Sequence, residues 1–470
     1  MRSTTLAIGA MSLLSACWAD FPSELLDPDG SRHDTVAADT RVDLGDGPRL
    51  ETATDAPRPD GPLPDLPPPD LPPPDLPWCP GSPCPLGCNG TTRCNRLLPS
   101  NDLGVNDTIF SAASKAWTVA ASSATIDTDI GEISDGAAII RQAGNKGTTQ
   151  NGVYWNTKTQ AGTSKELSVF VLASLTVPAG KTVTVVGSRA LALYVTGSVD
   201  IGGTIQAAAN GNTAGPGGHA GGDKESDGES CLGGEGKKGE NNNSCESGGG
   251  GGGRKVAGGK GGDASSGPVA GGAGGGVVGG EDLVPLFGGC GGGGGGADSE
   301  GGEGGGGGGA IQIAANGSLT ISTTGVITAA GAGGSADGQS GDGGGGGGGS
   351  GGAILLEAAS ITVNGMLAAN GGGGGGADCG SNEGTDGEDG RTDAQSATGG
   401  SCVGSGCGKG GAGGALSPEA GAPAQDVSNC GGGGGGAAGR IRLNSSMPAT
   451  IGSQNASPAP SVSAGSIGVW

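Results

Sequence analysis

A run of seven consecutive glycines at 343–349, with similar blocks at 248–253, 291–296, 304–309, 371–376 and 431–436, constrains this chain more than any other feature. Glycine has no side chain to bury and loses the most backbone freedom on folding. Such blocks have two outcomes: they stay disordered, or they order by close packing of backbone on backbone as polyglycine II helices. Collagen is excluded, because the glycines do not recur at every third position. Glycine fills 112 of 470 positions and aromatics only 2 %, so an ordinary thick core cannot run through the whole length.

Between the blocks lies an internal repeat. Full copies begin at Ala190, Ala310 and Ala353, and a truncated fourth reads Gly439-Arg-Ile-Arg-Leu443. Each full copy holds three short strands: A-[IL]-x-[IL], then S-[VIL]-[TD]-[IV], then a glycine turn and [IL]-x-A-A. Coils of this kind bury their surface only by stacking on one another. The expected fold is all-β: a parallel β-solenoid-like repeat domain with long glycine-rich insertions. The inward set is Leu191, Leu193, Val199, Ile201, Ile311, Ile313, Leu319, Ile321, Ile354, Leu356, Ile361, Val363, Ile441 and Leu443. An antiparallel sandwich has the same period of two and remains open.

Residues 1–16 have a basic start, a short apolar run and small residues before Cys17, the pattern of a signal peptide. Leu14-Ser15-Ala16-Cys17 resembles the lipobox of bacterial lipoproteins, which implies acylation of Cys17 and an exported, membrane-anchored chain, at the outer membrane or cell surface. Trp18 gives no inner-membrane retention signal. Residues 17–77 form an acidic, Pro-rich linker. Its repeated Asp-Leu-Pro-Pro-Pro unit predicts an extended polyproline II run that spans about 50 Å over 61–77. The remaining expected boundaries are a disulfide module at 78–98, a strand-rich part at 99–187, the glycine-rich repeats at 188–445 and a flexible tail at 446–470.

Outside the cytoplasm cysteines oxidise, so the disulfide candidates are Cys79, Cys84, Cys88 and Cys94 in the module, and Cys231, Cys245, Cys290, Cys379, Cys402, Cys407 and Cys430 among the glycines. The four module cysteines allow three pairings, and the seven others leave one thiol unpaired. They lack the C-x2-C spacing of a zinc knuckle.

Chemistry is sparse. His33 and His219 have no evident nucleophile or metal partner. Asp200 and Glu357 alone do not make the acidic row that a polysaccharide-cleaving enzyme needs. Gly258–Ser265 starts like a calcium nonapeptide but has Ser265 at its apolar position and no tandem copy. A threonine ladder for ice would need more than Thr320 and Thr362. A formal charge of −22 without a basic cluster argues against nucleic acid. No catalytic residue, metal or cofactor is expected.

Together, the lipobox, the acidic Pro-rich tether, the C-P-x-G-C module and the A-I-x-[IL]…G-x-[IL]-x-A repeats resemble the glycine-rich surface lipoproteins of myxobacteria-like bacteria, with adhesin-like repeats. That resemblance implies an envelope location and supplies no catalytic residues. The expected role is structural or adhesive and non-enzymatic. Expected partners are the membrane through the lipid, and surface proteins, glycans or extracellular matrix. The alternative is a polysaccharide-modifying enzyme of the envelope.

Overall fold

The computed structural model describes residues 78–470 apart from 80, 81, 90–92, 164, 243, 244, 298, 299, 337–340, 381 and 466. The signal peptide, Cys17, His33 and the acidic linker lie outside the described residues, as does the side chain of Cys79. What is described is almost all β, with one six-residue helix, Asp107–Ala112. Asn106 caps it by accepting the Ile109 N–H at 3.1 Å. That helix was not legible as a periodic pattern, because a single capped turn and a half is too short to show one.

The repeat copies pair in register and in parallel, forming three rows. The first row joins Glu166–Leu172, Ala190–Val195, the first half of Ala310–Ile321, the first half of Ala353–Val363, Arg440–Ser445 and Ser461–Ala464. A second row joins Ala116–Thr118, Ser174–Val177, Val199–Ile201, the second halves of the two long strands, and Thr450–Ile451. The third runs Ser123–Asp127, Thr182–Val186, Thr204–Gln206, Val326–Thr328, Met366–Ala368 and Ala456–Ser457. A register shift between Ala315 and Ser318 separates the first row from the second within one sheet. The sheets are curled and mixed: Tyr154–Thr159 and Glu132–Asp135 add antiparallel strands at the edges.

All fourteen residues expected to point inward lie in one buried cluster. The other side of the first row is buried as well, under Leu97, Leu103, Phe110, Leu283 and Leu286. Ala190–Val195 therefore reads as six buried residues in a row, as a strand covered on both faces should. Each Leu or Ile so buried contributes about 1.5–3 kcal/mol.

The glycine tracts are ordered among the described residues. Segment 343–352 is buried throughout, and its N–H groups go in turn to three neighbours. Gly344, Gly347 and Ser350 donate to Gly296, Gly293 and Cys290. Gly345, Gly348 and Gly351 donate to Gly431, Gly434 and Ala437, while Gly346, Gly349 and Gly352 donate to Ser335, Ala332 and Ala329. Its carbonyls accept from three further segments, through Gly249 and Gly252, through Gly302, Gly305 and Gly308, and through Gly372 and Gly375. The period of three is that of a polyglycine II helix, here with six neighbours. A Cβ on Gly347 or Gly348 would lie under 3.0 Å from the carbonyl oxygen of Gly250 or Gly372. Of the two outcomes open to such tracts, the bundle is the one adopted, because it satisfies every third backbone donor on each side without any side chain.

Residues 446–470, expected to be a flexible tail, supply paired strands at Thr450–Ile451, Ala456–Ser457, Ser461–Ala464 and Gly468–Val469. The short alternations there carry too few large apolar residues to stand out, and the rows already built supply the partner edges.

Candidate functional site

Four disulfides are described: Cys84–Cys94, Cys231–Cys290, Cys379–Cys430 and Cys402–Cys407. Cys88 is disulfide-bonded too. Cys245 is the unpaired thiol among the seven glycine-tract cysteines, and it is buried. Cys84–Cys94 lies in the N-terminal module, and the other three bridges join residues within or beside the glycine segments. Oxidised cysteines fit an oxidising, extracytoplasmic compartment. Among the described residues no helix is long and apolar enough to cross a membrane.

His219 is buried beside the Cys231–Cys290 bridge. Its Nδ1 lies 3.3 Å from the Gly289 carbonyl, and its ring meets Phe287 edge-on. Burial pushes its pKa below the usual histidine value. The two sulfurs near it are bonded to each other, so they offer no thiolate to a metal. In the nonapeptide-like stretch, Asp263 accepts the Gly271 N–H at 2.7 Å and pairs with Lys260 at 2.5 Å, so its carboxylate serves the bundle.

Asp200 and Glu357, the two carboxylates weighed for glycan chemistry, fall on different rows. Asp200 is exposed on the second. Glu357 is 1 % exposed on the first, where it accepts from Ser100 Oγ at 2.5 Å, Gln312 Nε2 at 2.6 Å and Asn444 Nδ2 at 3.2 Å. Its oxygens fasten the segment after the disulfide module to three successive strands.

Register lengthens the threonine ladder beyond what spacing suggested. Thr118, Thr176, Asp200, Thr320, Thr362 and Thr450 stand opposite one another on the outward side of the second row. A parallel column two residues earlier contains Ser174, Ser318 and Ser360, with Ser198 Oγ 3.2 Å from Ser318 Oγ. All of these residues are exposed or half-buried. Strand spacing sets the rungs about 4.8 Å apart. Thr118, Thr176 and Thr450 were missed because they lie outside the recognisable repeat copies.

A groove of about 650 Å³ lies between the disulfide module and the turns at 196–198 and 316–317. Arg96 Nε pairs with Asp107 at 2.8 Å in its wall. Behind it, Phe110 stacks on Tyr194 at 4.5 Å and lies 5.7 Å from the ring of Trp470, which is 37 % exposed. The Tyr194 hydroxyl donates toward Asn316 at 2.6 Å, and burial pushes its pKa up. Three of the scarce aromatics thus meet here, with Phe110 and Tyr194 part of the packing over the first row. No protein-family model, curated protein or solved structure matches this chain.

Proposed function

We propose that this chain is a cell-envelope lipoprotein with a structural or adhesive role and no catalytic activity, anchored through Cys17 and projecting a parallel β-solenoid braced by its glycine bundle. The observation that carries this reading is the six-fold enclosure of segment 343–352 by other glycine segments. A lattice of backbone hydrogen bonds, cross-linked by disulfides, resists shear and proteolysis in a way that side-chain packing of so lean a chain cannot. The in-register rows support the solenoid, since each copy hands its strand edges to the next.

The glycines themselves do not form the contact face, because they bury one another. Contact falls instead to exposed surfaces such as the Ser/Thr columns of the second row, whose regular hydroxyls suit a hydroxylated, repetitive partner such as polysaccharide. Protease shaving of intact cells that carry a tagged chain tests the display. Loss of the tag without lysis is expected, and protection until lysis would replace adhesion with an internal envelope role. Sedimentation with insoluble polysaccharide tests the face: Thr320→Lys with Thr362→Lys should abolish co-sedimentation. Turnover of glycans by the purified chain would overturn the non-catalytic reading.

A further inference from the structure

The fourth repeat copy places a cation at a buried position where the other three hold alanine. Where register places Ala310 and Ala353, it places Arg440. Alanine there is fully buried and sufficient for the stacking, so the fold does not require a long cation. Arg440 is nevertheless 8 % exposed, and its Nε is buried with no hydrogen-bond partner. Its side chain lines a cavity of about 230 Å³ together with Lys255, Glu281 and Ser461.

The charges around the cavity do not balance. Lys255 is already paired with Glu419 at 2.6 Å. Glu281 forms no ion pair with any described residue; burial lowers the Arg440 pKa, and the charges of Glu281 and Glu419 only partly oppose that shift. A further cation, Arg254, is 0 % exposed; it lies over the Phe287 ring at 3.8 Å and donates to the Val278 and Phe287 carbonyls at 3.2 and 2.8 Å, while its Nε is unpartnered. Burial, then the charge of Arg440, pull the Arg254 guanidinium down to about 9. Counting Arg254, which is not part of the cavity lining, three cations stand against two carboxylates. In the lining itself the Arg440 Nε has no acceptor, and a buried charge is costly unless it is paired and hydrogen-bonded.

We propose that the cavity at Arg440 is a binding site for one oxyanion, a carboxylate, sulfate or phosphate group, held by the planar fork of Arg440. The proposal goes beyond the adhesive reading and stands without it. The volume admits a single such group, either as a free ion or as the acidic substituent of a polysaccharide chain entering from the surface.

The test is calorimetry and thermal melting of the full chain with sodium sulfate, sodium phosphate and oligogalacturonate, each against sodium chloride at matched ionic strength. Wild-type protein should bind at least one of them, and Arg440→Ala should weaken that binding by about tenfold or more, as loss of charge-assisted hydrogen bonds implies. Because sulfate stabilises proteins in general, the readout is the difference between wild type and variant. In anion-free buffer Arg440→Ala should melt no lower than wild type, since it restores the residue of the other copies. Glu281→Gln, which removes a repelling carboxylate and leaves Arg440 in place, should tighten binding. Preference for the inorganic ions assigns a free anion, and preference for oligogalacturonate assigns an acidic glycan. Equal response of wild type and Arg440→Ala, or no tightening in Glu281→Gln, would overturn the site.

Discussion

At the scale of single residues, the backbone lattice makes the glycines unequal. Gly347 sits where a Cβ would meet the Gly250 carbonyl oxygen, while Gly180, in a turn at φ 74°, has nothing within 4 Å. Gly347→Ala should destabilise by about 1–3 kcal/mol or more, as overpacking does. Gly180→Ala should cost only the left-handed backbone penalty, about 1 kcal/mol. Melting curves of the two variants separate a packing requirement from a conformational one. Glu357 is the polar counterpart. Glu357→Ala removes the carboxylate acceptor of the buried Gln312 and Asn444 amides and of the exposed Ser100. It should cost about 3 kcal/mol or more in chemical denaturation, because each unsatisfied buried group costs about 1–3 kcal/mol.

At the scale of elements, the disulfides and the loops they close carry the test. Cys231–Cys290 spans a separation of 59 residues and Cys402–Cys407 one of 5. Chain-entropy reasoning makes loss of the longer bridge the worse by about 2 kcal/mol. Paired Ser variants at each bridge check this by denaturant midpoint, and equal losses would show that the bridges act locally. Within the longer loop, Glu235 caps the Cys231 and Gly233 N–H groups and pairs with Lys237 at 3.0 Å. Burial raises its pKa, but these hydrogen bonds outweigh burial and hold it at about 2, against a usual 4.5. A carboxyl depressed in the folded state stabilises fully above its unfolded pKa and loses that contribution as pH falls through the folded one. Stability should therefore decline between about pH 4.5 and 2. Glu235→Gln should flatten that limb, and an unchanged acid profile would remove Glu235 from the account.

At the scale of the whole molecule, amide exchange distinguishes a glycine bundle from a set of loops. Amides of 343–352, each donating inside the lattice, should exchange as slowly as the strand amides of Ala353–Val363. Exchange within seconds would show that the lattice opens independently of the rows.

The repeat arithmetic made the three-strand unit and its inward residues legible, and the export signal made the oxidised cysteines so. Period-two alternation marks which side chains must leave water, whatever they meet there. Sequence could not show what the second face of the first row meets, since Leu97, Phe110 and Leu283 come from segments far away in the chain. Nor could it choose between disorder and order for the glycine blocks. Poly-glycine has no pattern to read, and its order arises from hydrogen bonds between segments as distant as 249 and 345. The buried Arg440, the lengthened threonine column and the partners of Glu357 were decided in the same way. Local periodicity fixes which way a residue faces along its own strand, but only the packing of separate segments fixes what stands opposite it.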